Sequence, residues 1–319
     1  MKKIELNLSE KPIIGIDVSK DNLEVFNDRS SQHVVCPNQT RNLKQLAKDL
    51  KKESPELIVM EATGGYETQA AIEFSKACLP YAVVFPRRVR LLAQGAGVIA
   101  KNDQVDARVI AYYGRVGGIK PKPLDSEELR GLHALTTRRS QLVKMRQMEE
   151  NRLHTIHSAM RKSVKDHIAW LSRQIENLNK EIDQQIKRSE VWNEKRKLLM
   201  SVPGVGSVLA STLITELPEL GVLSNRQIAA LVGVAPFDCD TGKRKGTRFC
   251  KGGRSSVRRV LYMATLSAAR FNPVIKTLYD RLCEKRKRNK IVRIACARKM
   301  LVILNAMARD NLSFRSSSA

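Results

Sequence analysis

Long apolar runs, paired cysteines and clustered histidines are all missing from this 319-residue sequence, and each absence closes off a class of function. No window approaches the roughly 18 uninterrupted apolar residues that mark a membrane span, so a soluble protein with no membrane partner is expected. Met1 to Lys11 is polar and charged with no apolar segment behind it, which argues against a secretory or transit leader and for a cytoplasmic location. The six cysteines, Cys36, Cys78, Cys239, Cys250, Cys283 and Cys296, contain no CxxC pair. That argues against a zinc ribbon and a disulfide framework and leaves reduced thiols. His154 and His157 form the one HxxH among five histidines, without the Cys or acidic cluster that would complete a metal site. Between Asp125 and Lys197 turn formers are scarce, with no glycine after Gly131 and no proline before Pro203, so long helices are expected there.

What the sequence does have is positive charge. There are 57 Lys and Arg against 32 Asp and Glu, a net +25, far beyond what solubility requires. A polyanionic partner follows, and nucleic acid is favoured because no basic amphipathic anchor of the lipid-binding type is present. The excess is uneven. Residues 243–299 hold 19 Lys or Arg against Asp280 and Glu284, a local +17, so this stretch is the expected phosphate-contacting surface.

Hydrophobic patterning divides the chain. Residues 11–120 alternate short apolar strands (Pro12 to Val18, Asn22 to Asn27, His33 to Cys36, Glu56 to Glu61, Tyr81 to Phe85) with helical stretches (Thr40 to Lys52, Glu67 to Cys78), an α/β layer with an antiparallel opening and a βαβ continuation. Residues 125–197 carry Leu142, Met145, Met148 and Leu153, then Leu171, Ile175, Leu178 and Ile182, at three-to-five spacing. A helical hairpin or coiled coil is expected, serving as linker or oligomerisation arm. Residues 198–310 open on Leu198 to Ala210, where Gly204 and Gly206 bend the chain between apolar flanks in the manner of a helix-hairpin-helix. Such a turn exposes backbone N–H groups that bind phosphate without reading sequence; a plain packing turn is the alternative.

Four acids stand out. Asp17 leaves the end of an apolar strand, and Glu61 leaves another just before Gly64 and Gly65. Two central strands releasing carboxylates in register could converge on one hard divalent cation. Asp103 and Asp106 lie three apart and share a face if a helix starts there. Helix-dipole compensation would account for Asp103 but less well for Asp106. Four such carboxylates suit two-metal phosphoryl transfer with Mg²⁺ or Mn²⁺.

The segments GIDVSK (15–20), EATGGYE (61–67) and KNDQVDAR (101–108) resemble the acidic motifs of DEDD transposases, the insertion sequence 110 family, which includes the Piv DNA invertases. The resemblance continues through SVPGVG (201–206), LVGVAPF (231–237) and KGGRSSVRRVLYM (251–263), nearly the whole chain. It implies a RuvC-like, RNase H-type amino-terminal domain, a coiled-coil segment and a mostly helical carboxyl-terminal transposase domain. It implies recombination between sites in double-stranded DNA, in several relatives guided by a structured noncoding RNA, and in Piv-type relatives as inversion. It further implies a hydroxyl nucleophile that links covalently to DNA; the matching position is Thr241, where the family has serine, and the extra methyl crowds in-line attack. Ser255 and Ser256 are weaker substitutes.

Lys243, Arg244, Lys245, Arg248, Lys251 and Arg254 around Gly252 and Gly253 are expected to form a flexible basic loop for phosphate contacts, extended by Arg258 and Arg259. Holding two DNA sites together calls for a homodimer or tetramer. The rivals are a Holliday-junction-type endonuclease using the same acids with water as nucleophile, and an architectural nucleic-acid-binding protein that never cuts.

Overall fold

The computed structural model describes residues 10–98, 103–122, 125–241, 246 and 248–314, with the side chains of Asp103 and Gln104 outside that description. The chain divides into two compact units, 1–125 and 126–319, the first built on a sheet and the second mostly helical. No helix among the described residues is long and apolar enough to cross a membrane.

The first unit carries a five-stranded sheet. Strands β1 (Ile13–Val18), β2 (Asn22–Asn27) and β3 (His33–Pro37) form an antiparallel meander, while β4 (Leu57–Glu61) and β5 (Tyr81–Val84) run parallel to β1, in the order β3-β2-β1-β4-β5. The parallel pairing is in register from Ile13 opposite Leu57 to Ile16 opposite Met60. Because successive side chains alternate between faces, β1 and β4 each feed two cores. Ile14, Ile16, Ile58 and Met60 pack with helices α1 (Thr40–Glu53) and α2 (Thr68–Lys76) through Leu43, Ala47, Leu50 and Phe74. Ile13, Leu57 and Val59 pack on the other face with Val89 of α3 (Pro86–Gly95) and Ala107, Ile110 and Ala111 of α4 (Asp103–Val116).

Helix α4 lies unusually close to the sheet. A Cβ at Gly15 would collide with the carbonyl oxygen of Ala107 and the backbone nitrogen of Ala111, and one at Gly114 would come within 2.6 Å of Ile13 and 2.8 Å of Val59. The small residues Ala107, Ala111 and Gly114 recur at helical spacing, so one stripe of α4 lies backbone-close along β1. Arg115 fastens the far end, donating to Asp28 at 2.9 Å from Nε and 2.6 Å from Nη2, while Asp28 Oδ1 accepts from Ile13 N at 2.8 Å. Arg108 stacks its guanidinium over Phe26 at 5.2 Å.

In the second unit α5 (Glu127–Arg152) and α6 (Arg161–Arg188) form an antiparallel hairpin. Leu132 packs with Ile182 and Ile186 in the large core, Arg139 Nε donates to Asn179 Oδ1 at 2.5 Å, Leu142 packs with Leu171 and Ile175 in a separate small core, and His167 Nδ1 lies 3.4 Å from Glu149. The root of the hairpin therefore belongs to the unit's main core. There α7 (Glu190–Met200), α8 (Ser207–Glu216), α9 (Asn225–Val232), α10 (Ser255–Phe271), α11 (Pro273–Glu284) and α12 (Asn289–Asp310) surround one another. Helix α8 is buried from Leu209 through Thr215, the all-round burial of a central helix. Asn305, fully buried, accepts from Gly221 N at 2.9 Å and donates to Leu223 O at 2.9 Å, tying α12 to the α8–α9 connection.

Candidate active site

Asp17 and Glu61 each stand one residue beyond the last parallel pair, Ile16 with Met60. Alternation puts both on the face that carries Ile13, Gly15, Leu57 and Val59, the face covered by α4. The α4 stripe runs antiparallel to β1, Gly114 against Ile13 and then Ala107 and Ala111 against Gly15. Continued one turn, it brings the start of α4 over the carboxyl end of β1, where Asp17 lies. Asp103 opens that helix and Asp106 is half-buried in its first turn. The unit thus gathers two strand-end carboxylates under the amino-terminal turn of α4, whose partial positive charge favours anionic neighbours. Asp17 and Glu61 each have a polar partner.

Two further acids belong to this neighbourhood. Glu24 pairs directly across the antiparallel ladder from Asp17 and so shares its face; its carboxylate lies 2.8 Å from His33 Nε2. Glu67 shapes the loop that follows Glu61. Its Oε2 accepts from Thr63 N at 3.1 Å, Thr63 Oγ1 at 2.9 Å and Gly65 N at 2.9 Å, across a turn in which Gly64 and Gly65 take φ of +83° and +129°. Burial alone would raise the Glu67 carboxyl, but the hydrogen bonds from backbone N–H groups and the Thr63 hydroxyl outweigh it and hold it below the usual glutamate value. Sequence reading missed Glu24, whose only signal is strand alternation, and missed Glu67, whose signal is its place just after a Gly pair.

The donor set is all carboxylate oxygen, which suits a hard divalent ion rather than a thiolate- or imidazole-seeking one. Among the described residues no three His, Cys, Asp or Glu side chains form a ready-made metal cluster; the side chain of Asp103 lies outside them. Thiol ligation is further disfavoured. Burial pushes the thiols of Cys36 and Cys250 up and that of Cys296 up to about 11, so they stay protonated near neutral pH.

In the second unit Thr241 is exposed on a loop closed by an antiparallel bridge between Phe237 and Phe249, with Phe237 N donating to Phe249 O at 3.1 Å. Asp240 Oδ1 accepts from Gly246 N at 2.9 Å inside this loop. Lys243, Arg244 and Lys245 lie outside the described residues. Arg248 pairs with Asp238 at 2.7 Å on the surface, Lys251 sits over the Phe249 ring at 4.4 Å, and Arg259 is exposed.

The Gly252-Gly253 segment is not the loose loop that its composition suggests. A Cβ at Gly253 would collide with the backbone of Gly233, and one at Gly233 with Gly252 O; two backbones press together where no side chain fits. Arg254 forks onto Glu219 at 2.5 and 2.6 Å and donates to Glu216 O at 2.7 Å. Arg258 donates to Val232 O at 3.2 Å and to Gly252 O at 2.5 Å. Both arginines, expected to grip phosphate, hold internal partners, Arg254 through Nη1 and Nη2 and Arg258 through Nη1. Ser256 donates to a Glu216 carboxylate, and Ser255 begins α10. The turn at Gly204 is likewise a packing turn on one side, φ +96° with Ala268 within 2.7 Å of a would-be Cβ. Gly206, just before α8, faces open space.

Comparisons with known proteins agree with the motif order. A DEDD transposase model of IS110 matches residues 14–159, and the model of the Transposase IS116/IS110/IS902 family matches residues 196–280. Similar curated proteins include the pilin gene-inverting protein of Moraxella bovis, 25% identical over 95% of this chain and 98% of the relative. Another is the transposase for insertion sequence element IS1328 of Yersinia enterocolitica, 23% identical over 78% of this chain and 81% of the relative. The paired strand-end acids on the face under α4 and the two matched segments, one reaching through α5 and the other beginning in α7, point the same way: the chain is similar to IS110-family transposases in both of its units.

Proposed function

We propose that this DNA recombinase works by metal-dependent strand cleavage and rejoining, with a RuvC-like, RNase H-type first unit. In this reading Asp17, Glu61, Asp103 and Asp106 hold Mg²⁺ or Mn²⁺. The observation that carries it is the register of β1 and β4, which sets Asp17 and Glu61 side by side on the face beneath α4. A divalent ion bound there would supply Lewis-acid stabilisation of charge on the phosphodiester oxygens. The protein's own part is to fix the carboxylates, Asp17 and Glu61 by strand pairing and Asp106 by the close seam along Gly15, while Glu67 holds the adjoining turn.

Thr241 is the proposed nucleophile. Its Oγ1 forms a bond to phosphorus as the bond from phosphorus to a sugar oxygen breaks. The proton lost by the hydroxyl is matched by the one gained by the departing sugar hydroxyl, and DNA is left as a phosphothreonyl ester. Attack by another sugar hydroxyl reverses the step and rejoins strands. The net +25 supports a further nucleic-acid partner, and a structured noncoding RNA is the proposed guide. The long α5–α6 hairpin supports a homodimer or tetramer.

The test is labelled recombination-site DNA incubated with purified protein, Mg²⁺ and RNA co-purified from its own locus, run on a denaturing gel. Protein-linked DNA is expected from the wild type and its loss, by about a thousandfold in rate, from Asp17→Ala and from Thr241→Ala. Cutting that needs Asp17 but not Thr241 would instead establish a junction-type endonuclease with water as nucleophile, and binding without any cutting an architectural protein. The near full-length similarity to pilin gene-inverting proteins favours inversion as a second reading. Inverted junctions from a substrate carrying two opposed sites would separate it from transposition.

A further inference from the structure

The helices α10, α11 and α12 enclose a concavity of about 510 Å³ that none of the motifs above explains. Its lining mixes apolar and aromatic side chains with basic ones and holds no acid. Phe271, at the carboxyl end of α10, leaves 70% of its surface to solvent, a poor position for a large ring in a monomer. Tyr279 of α11 lines the same hollow, and so do Arg270 and Arg293. Neither arginine has a carboxylate partner among the described residues, in contrast to Arg254, which is forked onto Glu219. Arg293 instead stands over the Tyr262 ring, 6.0 Å from its centroid. No carboxylate lines the hollow to compete for the two guanidinium groups, and it lies within the stretch that carries a local +17.

These features are complementary to one nucleotide. An exposed ring offers a stacking face to a base, and single bases stack on aromatic side chains whatever their identity. Unpaired guanidinium groups offer planar forks to the adjoining phosphates. Base pairs in an intact duplex keep their faces against one another, so a pocket that recognises a base by its face selects an unpaired residue. We infer that the α10–α12 hollow binds an unpaired nucleotide of single-stranded nucleic acid, its base stacked on Phe271 beside Tyr279 and its phosphates held by Arg270 and Arg293. The inference rests on the nucleic-acid reading of this unit but not on the acids of the first unit, so it holds even if strand cleavage takes another course.

The experiment uses the full-length protein without added metal and short oligonucleotides carrying one 2-aminopurine, as single-stranded DNA, as single-stranded RNA and as duplex DNA. Quenching of 2-aminopurine is expected in a single-stranded probe and not in the duplex, with Phe271→Ala weakening single-strand affinity about tenfold or more and duplex affinity less than about twofold. Phe271→Trp should restore binding, with quenching of the new indole. Arg270→Gln should lower the salt dependence of single-strand binding by about one phosphate contact. Which single strand binds tighter identifies the source, RNA or DNA. Because Phe271 is exposed, an unchanged thermal midpoint is expected for its variants and certifies the fold. Equal single-strand affinity for wild type and Phe271→Ala would overturn the inference. So would parallel loss of duplex binding, or displacement of the oligonucleotide by an acidic peptide at lower concentration than by nucleotide.

Discussion

In the first unit two of the four acids of interest, Asp17 and Glu61, stand near the ends of neighbouring strands, and the in-register pairing of β1 with β4 sets their positions side by side. In the second unit two of the cations are placed by tertiary partners. Arg254 and Arg258 are anchored by Glu219, Glu216 and the carbonyls of Val232 and Gly252, while Arg259, Arg270 and Arg293 have no ion pair among the described residues. A carboxylate whose place follows from register can be read from strand ends. A cation whose place follows from a partner tens of residues away cannot. The difference teaches that local positive charge counts all cations alike, although only the unpaired ones are free to meet a phosphate.

The contrast can be broken or sharpened by substitution. Gly15→Ala should have the largest effect on stability, because its methyl would enter the backbone of α4 at Ala107 and Ala111. About 3 kcal/mol of destabilisation is expected, measured by urea unfolding. Any variant folded enough to assay should lose cleavage as the start of α4 lifts from Asp17; a Gly15→Ala protein of unchanged stability would refute the seam. Arg254→Ala should cost about 2 kcal/mol by removing the half-buried fork onto Glu219, and Arg254→Lys should recover only part of it. Glu67→Gln should cost about 1 kcal/mol at neutral pH. The folded carboxyl lies below its usual value, so its contribution is present above that usual value and fades as pH falls through the lowered one. The gap between wild type and Glu67→Gln should therefore close in acid, and a gap constant with pH would count against it. Arg259→Ala should change stability by no more than a few tenths of a kcal/mol yet lower the salt slope of DNA binding by about one. If Arg254→Ala and Arg259→Ala behaved alike in both assays, the division into anchored and free cations would fail.

Much of the first unit was legible because its signals are short-range. The strand Asn22–Asn27 follows from alternation, and Ile13–Val18 and Leu57–Glu61 from apolar runs ended by a carboxylate. Helix α3 was not foreseen, since Pro86–Gly95 fully buries only Val89 and its apolar stripe of Val89, Leu92 and Ala93 is short. The α5–α6 hairpin was legible from its spacing and its lack of glycine and proline. The fate of Gly252 and Gly253 was not. In sequence a glycine pair among cations looks like slack, and only the approach of Gly233, about twenty residues earlier, turns it into a contact surface. The fork of Arg254 onto Glu219 was not legible for the same reason, the two being 35 residues apart.

The hairpin itself sets a length. From Leu132 in the main core to Arg152 at the end of α5 the helix rises roughly 30 Å at 1.5 Å per residue, a little under one turn of duplex DNA at about 34 Å. Its own small core at Leu142, Leu171 and Ile175 and the rung from Arg139 to Asn179 brace it along that span. The arm is in effect a ruler: whatever its tip touches stands some nine base-pair steps from whatever its root touches.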